Sequence, residues 1–464
     1  MKHNGEKVQK RPSLNILSGD DFETPCMPCL LFKCVKALKR RIKELNLVYK
    51  EYIYFLKKKG LIEQTGLELT EGYYWYDKSI IKAYDKNGKI HKVVRLKVED
   101  DLTITFKTYK DKPFEIESWK ETVERNEIKL IKLEEHSIKL IEKAVEIFDD
   151  RTVAILSSFG KDSLVVQELV SKVQYRPSII FNNTSLDCAD TYRYMKKQPN
   201  VTVISPKEGF YQWRDRQNFV PTRFSRACCD IFKEGAMVDF LPEDSKYIFF
   251  MGMRNQESNT RSGYADIWKN HKWGDREWDA ILPIRSWSEE EIWLYILYRR
   301  ININIKYKKG YTRCGCSIAC PYYTKSTWTL DEYWFPDMYK RWHDILDKDF
   351  VDNKKAPILN CTNQEYHLAW NGGMIREEPT EEVILEFAEQ QDLDVDIAKK
   401  YFNKNCMCCN KRLKKDDIAL SIKYYGRQIE KFKCKKCLAK DLNVSTKVLK
   451  EKIKEFKADG CSLF

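Results

Sequence analysis

The sequence lacks several things, and each absence closes off a class of function. No apolar run approaches the length of a membrane span, and the N-terminus MKHNGEKVQKRPS has no apolar signal-peptide core. A soluble, cytoplasmic protein without a membrane partner is expected. Histidine is scarce: the six present stand isolated, none at metal-pair spacing and none patterned with a nucleophile. The long phosphate loop with two spaced glycines before Lys-Ser/Thr is missing too, which argues against that nucleotide fold.

What is present bounds the rest. The chain has 464 residues, enough for two or three domains with a substantial core. A formal net charge of +13 with interleaved Tyr and Trp favours a polyanionic partner or substrate. Sixteen cysteines are many for a reducing compartment, but they fall in clusters, which points to metal or redox chemistry before disulfides.

The chain is organised around Thr152 to Val170, TVAILSSFGKDSLVVQELV. The β-branched and apolar run Val153 to Leu156 breaks at Ser157-Ser158-Phe159-Gly160-Lys161-Asp162-Ser163. Leu164, Val165, Leu169 and Val170 then recur at helical spacing. Strand, tight polar turn and helix aim free backbone N–H groups and a helix N-terminus at one point, a good anion site. Lys161 adds a fixed positive charge, and Ser158 and Ser163 add hydroxyls. The plainer reading is an ordinary strand-to-helix connection with a Gly turn and a Ser/Asp cap.

Around this stretch the expected fold class is α/β, a doubly wound parallel sheet. An amphipathic helix is expected over Glu127 to Phe148, with Ile128, Ile131, Leu133, Ile138, Ile141, Val145 and Phe148 on its apolar side. Strands follow at Pro177 to Phe181, Asn200 to Ile204 and Tyr247 to Gly252, with ligands at the C-terminal strand ends. The last strand runs into a polar loop carrying Arg254, Ser258 and Arg261, where arginines can take phosphate or sulfate bidentately or form surface ion pairs. Ser288 and Glu291 form a capping box on a helix whose Ile292, Tyr295 and Ile296 serve packing alone. Upstream, Cys34 opens a Lys-rich helix running to about Lys59 and ended by Gly60, and Lys86-Asn87-Gly88 turns a hairpin between alternating runs. The boundaries expected are an N-terminal α+β accessory domain at 1–126, a catalytic domain at 127–345, a helical linker at 346–400 and a small zinc-binding domain at 401–464.

The cysteines form three sets. Cys26, Cys29 and Cys34 read equally as half a metal knuckle or as packed thiols. Cys228 and Cys229, with Cys314, Cys316 and Cys320, offer five soft ligands in two patches. These suit a 4Fe–4S cluster, zinc or no metal, and adjacent cysteines fit the cluster better than a knuckle. Cys406, Cys409, Cys434 and Cys437 make two Cys-x-x-Cys pairs around a short basic insert with a strand-like run, the spacing of a tetrahedral structural zinc site with Cys408 spare. A helix over Val444 to Phe456 follows.

Six motifs in order resemble the phosphoadenosine phosphosulfate (PAPS) reductase family, within the wider PP-loop or adenine-nucleotide-α-hydrolase-like superfamily. They are SSFGKDS, FNNTSLDCADTY, CCDIFK, GMRNQESNTR, ILPIRSWSEEEIWLYI and KGYTRCGCSIAC, and with the helix before the loop they cover roughly residues 128 to 340. The resemblance implies that Ser157, Ser158, Gly160, Lys161, Asp162 and Ser163 cradle the nucleotide phosphates, and that Arg254, Ser258 and Arg261 complete the anion pocket. It implies that Cys228, Cys229, Cys316 and Cys320 hold a 4Fe–4S cluster with Lys233 beside it, so that Lys161, Asp162, Lys233 and Arg254 carry the chemistry. The last cysteine pair is C-x-x-x-C where the family has C-x-x-C, which leaves Cys314 in contention. Sulfonucleotide reductases also attack with a cysteine in a short C-terminal tail motif not found here, Cys461 following the zinc unit instead. The form GKDS is shared with ATP pyrophosphatases that thiolate tRNA or place phosphorothioates in DNA. The resemblance therefore implies either ATP with a nucleic acid acceptor and a sulfur donor such as a cysteine desulfurase, or PAPS or adenylylsulfate with a thioredoxin-like reductant. A nucleic-acid-binding protein on a silent scaffold is the third reading.

Overall fold

The computed structural model describes residues 45–352, 362–370 and 405–458, apart from breaks at 78, 110–112, 175, 222–226, 258–260, 271–272, 317, 410, 412 and 426–430, together with residues 385 and 395. The chain divides into two compact units, 1–342 and 343–464.

The first unit begins with a five-stranded antiparallel sheet in the order β1-β2-β3-β4-β5. Its elements are β1 (Leu45–Leu47), α1 (Lys50–Lys58), α2 (Leu61–Thr65), β2 (Tyr74–Asp77), β3 (Ile80–Tyr84), β4 (Ile90–Val98) and β5 (Ile104–Thr108). Asn87-Gly88 does turn the β3–β4 hairpin, with Gly88 at φ 73°. The helix expected from Cys34 to Lys59 is corrected within the described residues: Leu45–Leu47 is a strand paired antiparallel with β2, and the helix starts at Lys50. Three consecutive buried residues, with Asn46 donating to the backbone oxygens of Tyr307 (3.1 Å) and Tyr311 (2.9 Å), tie that segment by tertiary pairing that outweighs helix propensity.

Helix α3 (Trp119–Ile147) starts at a Ser118–Glu121 capping box, eight residues before the expected helix. Its buried face is Leu130, Glu134, Ser137, Ile141 and Ala144, whereas Ile128 and Ile131 are exposed. A carboxylate takes a core position because Arg299 grips Glu134 in a fork (2.8 and 2.6 Å) and the Tyr295 hydroxyl donates to it (2.6 Å).

The second sheet has six strands in the order β10-β11-β9-β6-β7-β8. Its elements run β6 (Thr152–Leu156), α4 (Lys161–Val173), β7 (Ser178–Asn182), α5 (Ala189–Met195), β8 (Val201–Ile204), α6 (Phe210–Gln217), a wide π-turn (Cys229–Gly235), α7 (Ala236–Phe240), β9 (Tyr247–Met251), β10 (Ile267–Trp268) and β11 (Trp278–Ile281). Strands β7, β6, β9 and β11 run parallel, and only the edge strand β10 is antiparallel. The four expected parallel strands are present, while the Trp-flanked β10 and β11 are additions. Strand β6 lies between β7 and β9, so the chain leaves it toward one side and later returns on the other. The crevice at its C-terminal end is a topological switch point, where open α/β sheets bind ligands. Helices α8 (Glu289–Tyr298), α9 (Ile305–Lys308), α10 (Lys325–Trp334), α11 (Pro336–Asp352) and α12 (Asn363–Trp370) follow. His343 and His367, two of the histidines that stand isolated in sequence, meet through their Nδ1 atoms at 2.9 Å.

Further along the second unit, α13 (Lys415–Tyr425), α14 (Lys435–Asp441) and α15 (Thr446–Ala458) surround the last cysteines. The strand-like run of the insert is therefore a helix. Ile418, Ala419 and Ile422 pack inward at helical spacing, and the Lys414 N–H caps onto Asp417 (3.0 Å). Among the described residues, no helix is long and apolar enough to cross a membrane.

Candidate functional site

The turn between β6 and α4 is built from inside outward. Ser157 is buried, and its Oγ accepts from the Phe159 N–H (3.0 Å) and from Gln167 Nε2 (2.6 Å), so the turn is pinned to the helix behind it. Phe159 takes φ 53° and buries its ring against Phe181 and Tyr194, a left-handed residue held by aromatic packing. Ser158 alone is exposed. The Lys161 N–H donates to the Tyr307 hydroxyl (2.9 Å). Opposite, Gly252 presses on the start of α4: a Cβ there would lie 2.7 Å from the Asp162 carbonyl carbon and 2.8 Å from the Ser163 nitrogen. Only glycine fits, which is why the β9 strand can end against the loop.

Lys161 and Arg254, each at most 6 % exposed, do not point into solvent. Lys161 Nζ bonds Asp162 Oδ2 (2.8 Å) and Glu289 Oε1 (3.1 Å), and Arg254 Nε bonds Asp162 Oδ1 (2.6 Å) while its Nη2 bonds Glu289. Two cations and two carboxylates thus close a buried, net-neutral quartet at the N-terminus of α4. Burial would raise the Asp162 carboxyl, but Lys161 and Arg254 outweigh it and hold it at about 2. Burial opposes the charges of Lys161 and Arg254, yet Asp162 and Glu289 raise both above their ordinary values. Asp162 is a fixed anion at any physiological pH and not a proton carrier. Glu289 is the member of the quartet that the motifs do not single out, since in sequence it is one of three acids in a helix cap with a packing role. The only signal is its position one residue after the Ser288 N-cap, near the same crevice. Arg261 pairs with Glu257, which also accepts from the Arg254 N–H (3.0 Å), and Ser258 lies outside the described residues.

On the neighbouring π-turn, Cys228 and Cys229 hydrogen-bond side chain to side chain, and Cys316 and Cys320 lie within electrostatic reach of them. The Cys229 bond and burial push the Cys228 thiol up, and burial pushes Cys316 up to about 11. Lys233 stands beside them, itself exposed, its ammonium favoured above all by Cys316. Cys314 is set apart: it is buried, bonded to the Tyr307 hydroxyl that receives the Lys161 N–H, and pushed up to about 12 by burial. Four thiols with one cation beside them fit the donor chemistry of an iron–sulfur cluster, with Cys314 as a thiol of the phosphate loop's support.

Residues 152–321, the stretch that holds the loop, the quartet and these thiols, match the family described as phosphoadenosine phosphosulfate reductase domain. The match is to this stretch and not to the whole chain. An uncharacterized protein of Methanocaldococcus jannaschii is 28 % identical over 270 residues, 55 % of this chain and 62 % of its own length. An adenosine 5'-phosphosulfate reductase of Halalkalibacterium halodurans is 27 % identical over 202 residues, 41 % of this chain and 83 % of its own. The solved PAPS reductase of Candida auris, a phosphate complex, shares 18 % identity with a TM-score of 0.32, covering 42 % of this chain and 93 % of that one. The chain spans less than two thirds of the first archaeal relatives, 62 % of one and 47 % of another from the same organism.

Outside the matched stretch, the sulfurs of Cys406, Cys409, Cys434 and Cys437 all lie within 4.8 Å of one another, and Cys409 Sγ is 3.7 Å from Cys434 Sγ. Tetrahedral zinc with Zn–S of about 2.3 Å places its sulfurs at about that separation. The Cys434 N–H donates to Cys406 Sγ at 3.3 Å. Burial opposes the Cys406 thiolate, but backbone donors from Cys434, Cys408 and Cys409 bring the thiol down to about 6. The four residues fit a structural zinc ion, and Cys408 is exposed outside the group. Among the described residues, the central thiols form no group that tight. Cys26, Cys29, Cys34 and Cys461 lie outside the described residues.

Proposed function

We propose that the chain is an adenine-nucleotide-dependent enzyme of sulfur chemistry, and specifically an ATP-dependent sulfurtransferase acting on nucleic acid. The observation that carries this reading is the buried quartet at the head of α4. A polyphosphate arriving at the switch point meets loop N–H groups, the positive end of a 13-residue helix and the Ser158 hydroxyl. Lys161 and Arg254 stand behind them, held in place by Glu289 and by Asp162, a fixed anion at neutral pH. Their charge is therefore preorganised for the negative charge that develops at phosphorus as pyrophosphate leaves. The sequence form Gly160-Lys161-Asp162-Ser163 favours ATP over a sulfonucleotide.

Cys228, Cys229, Cys316 and Cys320 would hold a 4Fe–4S cluster, which when bound supplies sulfide-ligated iron able to bind sulfur or pass electrons. Lys233 keeps a positive charge among those thiols. On this reading the partners are a nucleic acid acceptor and a sulfur donor such as a cysteine desulfurase.

The second reading, reduction of adenylylsulfate or PAPS to sulfite with a thioredoxin-like reductant, is favoured by the reductases among the relatives. Turnover by anaerobically reconstituted protein separates the two. Pyrophosphate from ATP supports the sulfurtransferase, and sulfite from either sulfonucleotide replaces it with the reductase. Lys161→Ala and Asp162→Ala should abolish either activity. Unchanged cellular function in both variants would leave only a nucleic-acid-binding role on a silent scaffold.

A further inference from the structure

The positive charge of the chain is not spread along it. Residues 405–458 hold 16 Lys and Arg against 6 Asp and Glu, a net +10 of the whole chain's +13. Nor is that charge neutralised where it stands. Every described acid in the segment is taken: Asp416 and Asp417 by Lys435 and Lys457, Asp441 by Lys433, Glu451 by Lys454 and Glu455 by Lys452. Lys431, Lys436, Lys440, Lys447 and Lys450 are exposed and, among the described residues, in no ion pair.

We propose that this four-cysteine unit is a docking surface for single-stranded nucleic acid; the inference rests on the nucleic acid acceptor of the reading above and gives that acceptor its site. Helix α15 presents Lys447, Lys450, Lys454 and Lys457 at intervals of three and four, a stripe about 15 Å long at the rise of an α-helix. Its Leu449 and Ile453 turn inward against Leu438 and Ala439 of α14. Flat and soft side chains stand out between the lysines: Met407 on the first cysteine knuckle, and Tyr424 and Tyr425 at the end of α13 are all exposed. Tyr425 is held in place, its hydroxyl bonded to Asp441 and Lys433 Nζ 5.4 Å from its ring centre. Cations that follow a backbone and exposed rings that accept bases are the two components of sequence-tolerant single-strand binding. A membrane-surface helix needs a broad apolar face turned outward, and α15 turns that face in, with Val448 its only exposed apolar residue among those described.

The test uses the full-length, zinc-loaded protein and fluorescence anisotropy with labelled 30-nucleotide poly-dT and poly-U. Wild type should bind both, with affinity falling steeply with salt. The variant Lys436→Glu/Lys440→Glu/Lys447→Glu/Lys450→Glu should bind at least about 30-fold more weakly. Its log–log salt slope should be shallower by about 0.7 for each phosphate that the variant no longer neutralises. Zinc content and circular dichroism check the fold, and the four corresponding Gln substitutions decide if the Glu variant loses zinc. An unchanged affinity in a zinc-replete variant overturns the proposal. So does tighter binding to phosphatidylserine vesicles than to oligonucleotide, or displacement of oligonucleotide by polyglutamate at equal charge. Oligonucleotide binding that depends on these lysines in a protein releasing no pyrophosphate from ATP sustains the docking surface and removes the sulfurtransferase.

Discussion

The two described cysteine groups use the same ligand atom for different purposes. In the C-terminal unit, four sulfurs crowd within one ion's reach and backbone N–H groups lower one thiol to about 6, so the backbone prepares for a cation. In the matched domain, four sulfurs stand farther apart, burial raises Cys316, and the nearby charge is Lys233, a resident cation. The first arrangement substitutes for a hydrophobic core too small to fold alone, and the second sits on a core that already exists. Residues 405–458 bury only small clusters around α13, α14 and α15, whereas the central sheet packs Ile155, Val165, Ile248 and Phe250 without solvent exposure. A metal should therefore be a condition of folding in one place and an accessory to chemistry in the other.

The sharpest way to break this contrast is to remove the C-terminal metal. Chelation, or Cys434→Ser, should unfold residues 405–458, since structural zinc contributes about 10–16 kcal/mol in small units. Hydrogen exchange should show that α13, α14 and α15 lose protection while the central sheet keeps it; protection retained in both would end the comparison. Next, Cys316→Ser should abolish iron and acid-labile sulfide in reconstituted protein and leave its melting transition nearly unmoved. Cys314→Ser should retain the iron and weaken only nucleotide binding, through Tyr307. Arg254→Met should then destabilise the central domain by about 3–5 kcal/mol, because Asp162 and Glu289 lose a buried partner. Chemical denaturation would measure it. A loss below about 1 kcal/mol would mean the quartet is solvated, as surface ion pairs are, and not preorganised.

The smallest effect is one of pH. Asp331 is fully buried beside Lys306 and accepts from the Tyr311 hydroxyl (2.7 Å), and burial raises its carboxyl to about 7. A carboxyl raised in the folded state stabilises below its unfolded value, near 4, and loses that contribution as pH rises through about 7. Between about pH 6 and pH 8.5 the first unit's melting temperature should fall by about 2–4 °C, the shift expected for about 1 kcal/mol. Asp331→Asn should flatten that fall, and the four-cysteine unit should show none of it.

Contiguous β-branched runs make β6 through β9 legible in the sequence, because a buried parallel strand must be apolar on both faces. Asn87-Gly88 announces its hairpin through the backbone conformation it requires. Where one pattern serves two structures, pattern alone misleads. Ile418 to Ile422 alternates like a strand and also spaces like a helix, and Asp417 as a cap decides it. β1 has three residues and no pattern of its own, only partners. Within the site, the loop and Arg254 are visible from residue type and order. Glu289 is not, because a carboxylate among three at a helix start looks like dipole decoration until the fold brings Lys161 and Arg254 to it. The separation of Cys314 from its neighbours two and six residues on is equally beyond spacing, since which way a thiol turns in a loop depends on what it packs against.

One hydrogen bond bears on where this chain can be cut. Asn46, in the first strand of the N-terminal sheet, grips the backbone oxygen of Tyr307, and the hydroxyl of that same tyrosine receives the N–H of Lys161. The N-terminal sheet is thus a brace with one end on the phosphate loop, and the helix after its first strand packs as closely: Tyr52 presses on Gly310, where a Cβ would come within 2.3 Å of the ring. A fragment starting at residue 127 would keep every residue of the loop and the quartet. It would lack the strut that tells Tyr307 where to stand.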